Sequence, residues 1–164
     1  MFAKCTLAAV FLFLTSFTLP SAPERSFEGA WKIAEVRTIR ADGQSTVVKP
    51  RESLVLFANG YYSFCWTSHQ SSAQAWQIAD SERVARFNQM LVNTGTYTVS
   101  ESLLVTHAQF AQVPKFVGGT AAFRWALSND TLVLTGVNVL SADNILHSIY
   151  AAGGHVVNKL VRIK

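Results

Sequence analysis

Four histidines (His69, His107, His147 and His155) and two cysteines (Cys5 and Cys65) are the side chains of this sequence best suited to chemistry. An imidazole can act near neutral pH as a general base, a metal ligand or an orienting hydrogen-bond partner, and a thiolate can attack an electrophile or bind a soft metal. Their spacing gives these roles no ready frame. No two histidines stand two or four residues apart, and there is no His-Glu-x-x-His and no Cys-x-x-Cys. A metal site carried by one element is therefore not expected, nor is any other cofactor. Cys65 lies between Phe64 and Trp66 with no base inside its own run, and His69 falls past the end of that run, so the thiol reads as an inert, half-buried apolar group. Glu28, Glu35, Glu52, Asp80, Glu82 and Glu101 mostly fall at the ends of apolar runs and form no acid/base pair. Glu35 and Arg37 would share a face with Trp31 and Ile33, which reads as a structural ion pair. Gly118-Gly119-Thr120 lacks the lysine and the following helix of a phosphate loop. His107 stands apart. In "LLVTHAQF" it is in step with Leu103 and Val105, and on an inward face it could orient a ligand or move a proton.

The elements that must position these groups read as strand after strand. "AWKIAEVRTI" is a first strand, ended by the turn Ala41-Asp42-Gly43. "SLVLF" and "YYSFCW" flank Asn59-Gly60, a strong short hairpin signal because both residues accept positive φ. "GTYTVS" and "SLLVTHAQF" flank Glu101, "AAFRWALS" and "TLVLTGVNV" flank Asn129-Asp130, and "NILHSIY" and "HVVNKLVRIK" flank Gly153-Gly154. Short strands with a turn between each pair predict an antiparallel barrel or sandwich. One segment departs from this pattern. "DSERVARFNQMLVN" places Val84, Phe87 and Leu91 on one helical face, with Asp80 or Ser81 as its cap. The expected helix either packs on the surface or closes one mouth of the barrel.

Composition bounds the rest. A chain of 164 residues, 49% hydrophobic and 15% charged, suits one domain with a real core and excludes disorder. The basic residues behind the net charge of +4 are scattered singly, so no nucleic-acid partner is expected. Lys4 followed by an uncharged run from Cys5 through Leu19 and then "TLPSAPER" reads as a secretory signal peptide over residues 1–22, with the mature domain over 23–164. The expected protein is exported, periplasmic or extracellular, with no stable membrane span once the leader is cleaved. Cys65 then remains as a lone thiol, and without an internal disulfide the fold must rest on its core.

Gly29-x-Trp31 on the first strand resembles the opening motif of lipocalins. A longer frame is similar to the bacterial lipocalin-like domain family, a calycin-type β-barrel. Gly60-Tyr61 stands in a hairpin, a helical insert surrounds Phe87, and Gly95-Thr96-Tyr97 opens a strand. A loop carrying Pro114 and Gly118 follows, and then Asp130 with Leu132 and Leu134. The resemblance runs from about Phe27 to Gly136. It implies an all-β, antiparallel, up-and-down lipocalin-like barrel with one short helical insert. It also implies that Trp31 closes the narrow end beneath an arginine of the last strand, here Arg162, so that Gly29, Trp31 and Arg162 are structural. It implies an apolar interior and no particular reaction.

Alternation supplies an interior. Tyr62, Phe64 and Trp66 share one face, as do Phe123, Trp125 and Leu127, and Tyr97 pairs similarly with Val99. With Phe87 from the insert and His107, these aromatics are the candidate ligand-binding residues, suited to a small hydrophobic or amphipathic molecule. The leading expectation is non-catalytic binding of such a molecule. Two alternatives stand beside it. One is a barrel enzyme of isomerase or cyclase type with His107 as acid/base. The other is a filled barrel that works through its surface.

Overall fold

The computed structural model describes residues 27–70 and 76–164, so the expected leader lies outside the described residues. Asn59 and Gly60 both take positive φ (50° and 79°), the backbone of a tight hairpin whose twist suits its flanking strands. That turn joins β3 (Glu52–Ala58) to β4 (Tyr61–Thr67), paired from Glu52 opposite Thr67 to Ala58 opposite Tyr61. The same logic repeats along the chain. β1 (Gly29–Ile39) turns back into β2 (Ser45–Val48), and β5 (Met90–Val99) into β6 (Leu103–Ala111). β7 (Thr120–Ser128) joins β8 (Thr131–Leu140) through Asn129, at φ 51°. β9 (His155–Arg162) then pairs antiparallel with both β8 and β1 and closes the sheet on itself. Eight strands, β1 and β3 to β9, make the barrel. The free edge of β1 is shared: β3 covers Gly29–Trp31, and β2, separated from β3 by the ring of Pro50, covers Val36–Ile39.

Bulges set the curvature and decide which side chains face in. Register slips occur between Ile33 and Glu35, between Thr94 and Gly95, and between Ala122 and Phe123. Each adds a residue to one strand and sharpens its bend, as closure requires. The first slip makes Val36 buried. Glu35, expected to face in with Trp31 and Ile33, instead sits half-exposed and pairs with Arg37 at 2.7 Å. The barrel is filled at one end. Phe27, Trp31, Val55, Phe57, Leu104, Leu132, Leu134 and Leu160 have no exposure at all. Around Phe27 the rings of Phe57 and Trp125 stand 5.2 and 5.3 Å away, and Tyr97 meets Phe57 edge-on at 5.5 Å.

Two expectations are corrected here, and one strand is added. The helix expected over residues 80–93 stops early: α1 is Asp80–Asn88, and Met90 to Asn93 belong to β5, paired with Thr67 to Phe64 of β4. Ladder bonds and burial along a whole strand outweigh one more helical turn. No residue of α1 is buried, and its N-cap is Ala79, with no side-chain cap. The segment "NILHSIY" is no strand. It makes one bridge, Leu146 with Leu140, and then enters α2 (Ser148–Ala151), whose first turn is capped by His147. β8 and β1 occupy both edges of β9, so closure leaves no edge for a further strand there. Finally, β2 is short and mostly exposed, which hid it from any reading by hydrophobic alternation.

Candidate functional site

Inward positions near the second end of the barrel carry side chains that do not meet across it. Val36 and Thr38 face in from β1, Phe64 and Trp66 from β4, Phe123 from β7, and Val156 and Asn158 from β9. The segment after β6 adds Val113 and Phe116, and the crossing to β9 adds His147, Ile149 and Tyr150. Together they surround a cavity of about 400 Å³, within the usual size of small-molecule sites. Among the described residues no Asp, Glu, Lys or Arg lines it. The walls are apolar and aromatic, with polar groups at few points.

Those polar groups are specific. Tyr62, 3% exposed, is the first inward residue of β4 and stands opposite Gly95, which contributes no side chain. Burial pushes its phenol up to about 12, with the adjoining Thr106 hydroxyl acting weakly in the other direction. The Tyr62 hydroxyl has no hydrogen bond of ordinary geometry, and the Thr106 hydroxyl beside it donates to the Ala121 carbonyl at 3.2 Å. Tyr150 is likewise raised by burial, opposed by the Val156 backbone. Its hydroxyl lies where a Cβ on Gly136 would sit, so that glycine lets α2 lean over the mouth. His147 Nδ1 accepts the Ile149 N–H at 3.3 Å, which leaves Nε2 as the donor of the neutral ring. At the rim, Gln112 Nε2 donates to the Phe87 carbonyl and ties the segment after β6 to α1, while its Oε1 is buried without a partner.

The eight ligand-binding candidates divide into three groups. Tyr62, Phe64, Trp66 and Phe123 line the cavity. Tyr97 and Trp125 belong to the filled end. The Tyr97 hydroxyl donates to Glu28 Oε1 at 3.1 Å, and Trp125 Nε1 donates to the Ser100 carbonyl at 3.1 Å. Phe87 and His107 are outside. Phe87 is 52% exposed on α1. His107 is exposed on the outer face of β6, where Leu104, Thr106 and Ala108 point in; the expected phase was one residue out. Sequence reasoning missed Thr106, Asn158 and the short crossing with Ile149 and Tyr150. Asn158 did leave a signal: it is the polar member of an otherwise apolar alternation, Val156-x-Asn158-x-Leu160.

The model of the lipocalin-like domain matches residues 28–152, from the start of β1 through α2. The chain belongs to the lipocalin-like domain family. Comparison with curated proteins and comparison with solved structures each return no match. In this lipocalin-like barrel the closed end is built around the first-strand tryptophan. Trp31 Nε1 donates to the Phe27 carbonyl at 2.9 Å, and the Arg162 guanidinium carbon lies 4.2 Å from the centre of the indole. Arg162 Nη1 also donates to the Glu28 carbonyl at 2.8 Å. Gly29 has φ 128°, and a Cβ there would come within 2.9 Å of Arg162 Nη1, so the glycine two residues before Trp31 makes room for the cation above it. The lipocalin-like domain has a second, outer hollow of about 280 Å³ between α1 and the sheet, bordered by Cys65, Glu52 and Arg86. Among the described residues no three His, Cys, Asp or Glu side chains come together as a metal site would need, and no helix is long and apolar enough to cross a membrane.

Proposed function

We propose that the protein is an exported carrier that holds a small hydrophobic or amphipathic molecule in its barrel and performs no reaction on it. The observation that carries this reading is the cavity of about 400 Å³ walled by Phe64, Trp66, Phe116, Phe123 and aliphatic side chains. Transfer of an apolar molecule from water to such walls is favourable, and a largely preformed site limits the ordering cost. His107, the residue on which an acid/base reading depended, faces solvent. Export is supported by residues 1–22 alone, through their lysine, uncharged apolar run and small-residue end.

The test uses Trp66, which lines the cavity, after Trp76→Phe removes the fully exposed indole. Titration with N-phenyl-1-naphthylamine, a neutral apolar probe, is expected to quench the remaining tryptophan emission saturably. Trp66→Phe should remove most of that quenching while the probe still binds. A non-saturating response, or one unchanged by Trp66→Phe, would contradict the carrier reading.

A further inference from the structure

We propose that the cavity selects an uncharged ligand whose polar head lies at the cavity floor, hydrogen-bonded to the Asn158 carboxamide. The inference rests on the carrier reading above and adds the chemical class and orientation of the ligand. Asn158 faces in from β9, with its Cα opposite Val36 of β1 and Leu134 of β8. It is 8% exposed and lines the cavity, and its carboxamide makes no hydrogen bond among the described residues. The Asn158 carboxamide is not among the fully enclosed unpartnered side-chain atoms, so it opens onto the cavity, and a ligand that reaches it must match the hydrogen bonds that cavity water would make.

Its position is the floor. The inward neighbour above it on β9, Val156, lines the wall, whereas the one below, Leu160, is fully buried and off the cavity. Thr106 marks the same boundary on β6, with Leu104 beneath it in the core. Thr106 commits its hydroxyl proton to Ala121, so its lone pairs remain as acceptors. Above this polar step the walls are Phe64, Trp66, Val92, Val113, Phe116 and Ile149. The titratable side chains on the cavity are the phenols of Tyr62 and Tyr150 and, at the exposed rim, His147. A carboxylate or phosphate carried to the floor would meet no cation among the described residues there, and an unpaired buried charge costs more than one amide contact returns. A carboxamide offers one acceptor and two donor hydrogens, and so suits a primary amide, an alcohol, a ketone or an ester. The ligand class is therefore a neutral amphiphile that enters head first.

Displacement of N-phenyl-1-naphthylamine by decanamide, 1-decanol and decanoate tests this on the full domain, buffered so that decanoate is ionised. On the wild-type protein decanamide and 1-decanol are expected to bind at least about tenfold more tightly than decanoate, which is about 1.4 kcal/mol. Asn158→Leu keeps the shape and removes the hydrogen bonds. It is expected to retain probe binding, to weaken decanamide roughly tenfold and to leave decanoate nearly unchanged. Decanoate binding as well as decanamide to the wild type would overturn the inference without any variant. So would decanamide affinity unmoved by Asn158→Leu while the probe still binds. A probe that fails to bind the wild type would overturn the carrier reading and this inference together.

Discussion

Arg162 couples the two ends of the described chain. Its guanidinium covers the Trp31 indole at 4.2 Å and donates to the Glu28 carbonyl at 2.8 Å. The planar fork does both at once, which an ammonium cannot. Arg162→Ala should lower unfolding free energy by about 2 kcal/mol, from the stacking and the charge-assisted hydrogen bond together. Arg162→Lys should recover less than half of that, as read from urea midpoints at constant slope. Tyr62 makes a different prediction. The unfolded phenol releases its proton near 10 and the folded one at about 12, so above the lower value the native state holds a proton that the unfolded chain has lost. Stability therefore falls as pH rises through that window, with Tyr150 acting in the same direction. Tyr62→Phe should flatten the alkaline loss measured by denaturant titration. At neutral pH it should change stability by less than about 1 kcal/mol, since it removes a hydroxyl that has no good partner.

At the scale of elements, α1 and β5 carry the contrast between packing and polar tethering. α1 buries nothing; His69 with Glu82 at 2.8 Å, and Arg86 with Glu52 at 3.2 Å, hold it beside the barrel. Val84→Ser and Phe87→Ser should each alter stability by no more than about 0.5 kcal/mol, because both side chains are already more than half exposed. Gly95 is the opposite case. At its bulge a Cβ would overlap the His107 carbonyl and crowd the Gln109 amide, so Gly95→Ala must push β5 and β6 apart. A loss of about 1–3 kcal/mol, measured by thermal or urea unfolding, is expected. These elements also show what the sequence made legible. Turn residues with positive φ, Asn59-Gly60 and Asn129, located the hairpins because the cause is local, whereas the plug of Trp31 beneath Arg162 was legible only through the resemblance to the lipocalin-like family. The phase of β6 and the end of α1 were not legible. A bulge between Thr94 and Gly95 and the pairing of Met90–Asn93 with β4 depend on partners distant in sequence. Of the eight candidates, Tyr97 and Trp125 face in but belong to the filled end, and Phe87 and His107 lie on the outer surface.

At the scale of the whole molecule, the barrel divides into a filled half and a hollow half, with Tyr62, Thr106 and Asn158 at the boundary. The filled half excludes Trp31 and its neighbours from water. The hollow half is shaped by side chains that stop short of one another and by the crossing that leads through α2 to β9. This division explains how so many large rings leave a cavity: Phe27, Phe57, Tyr97 and Trp125 stack together at one end instead of filling the other. The most direct measurement is a calorimetric titration of N-phenyl-1-naphthylamine into the wild-type domain and into Ala111→Phe, which places a ring into the cavity from its half-buried edge. Saturable one-to-one binding that weakens at least about tenfold in the filled variant is the predicted result. Absence of saturable binding to the wild type, or equal affinity in a folded Ala111→Phe, would contradict the assignment of this cavity as the ligand site.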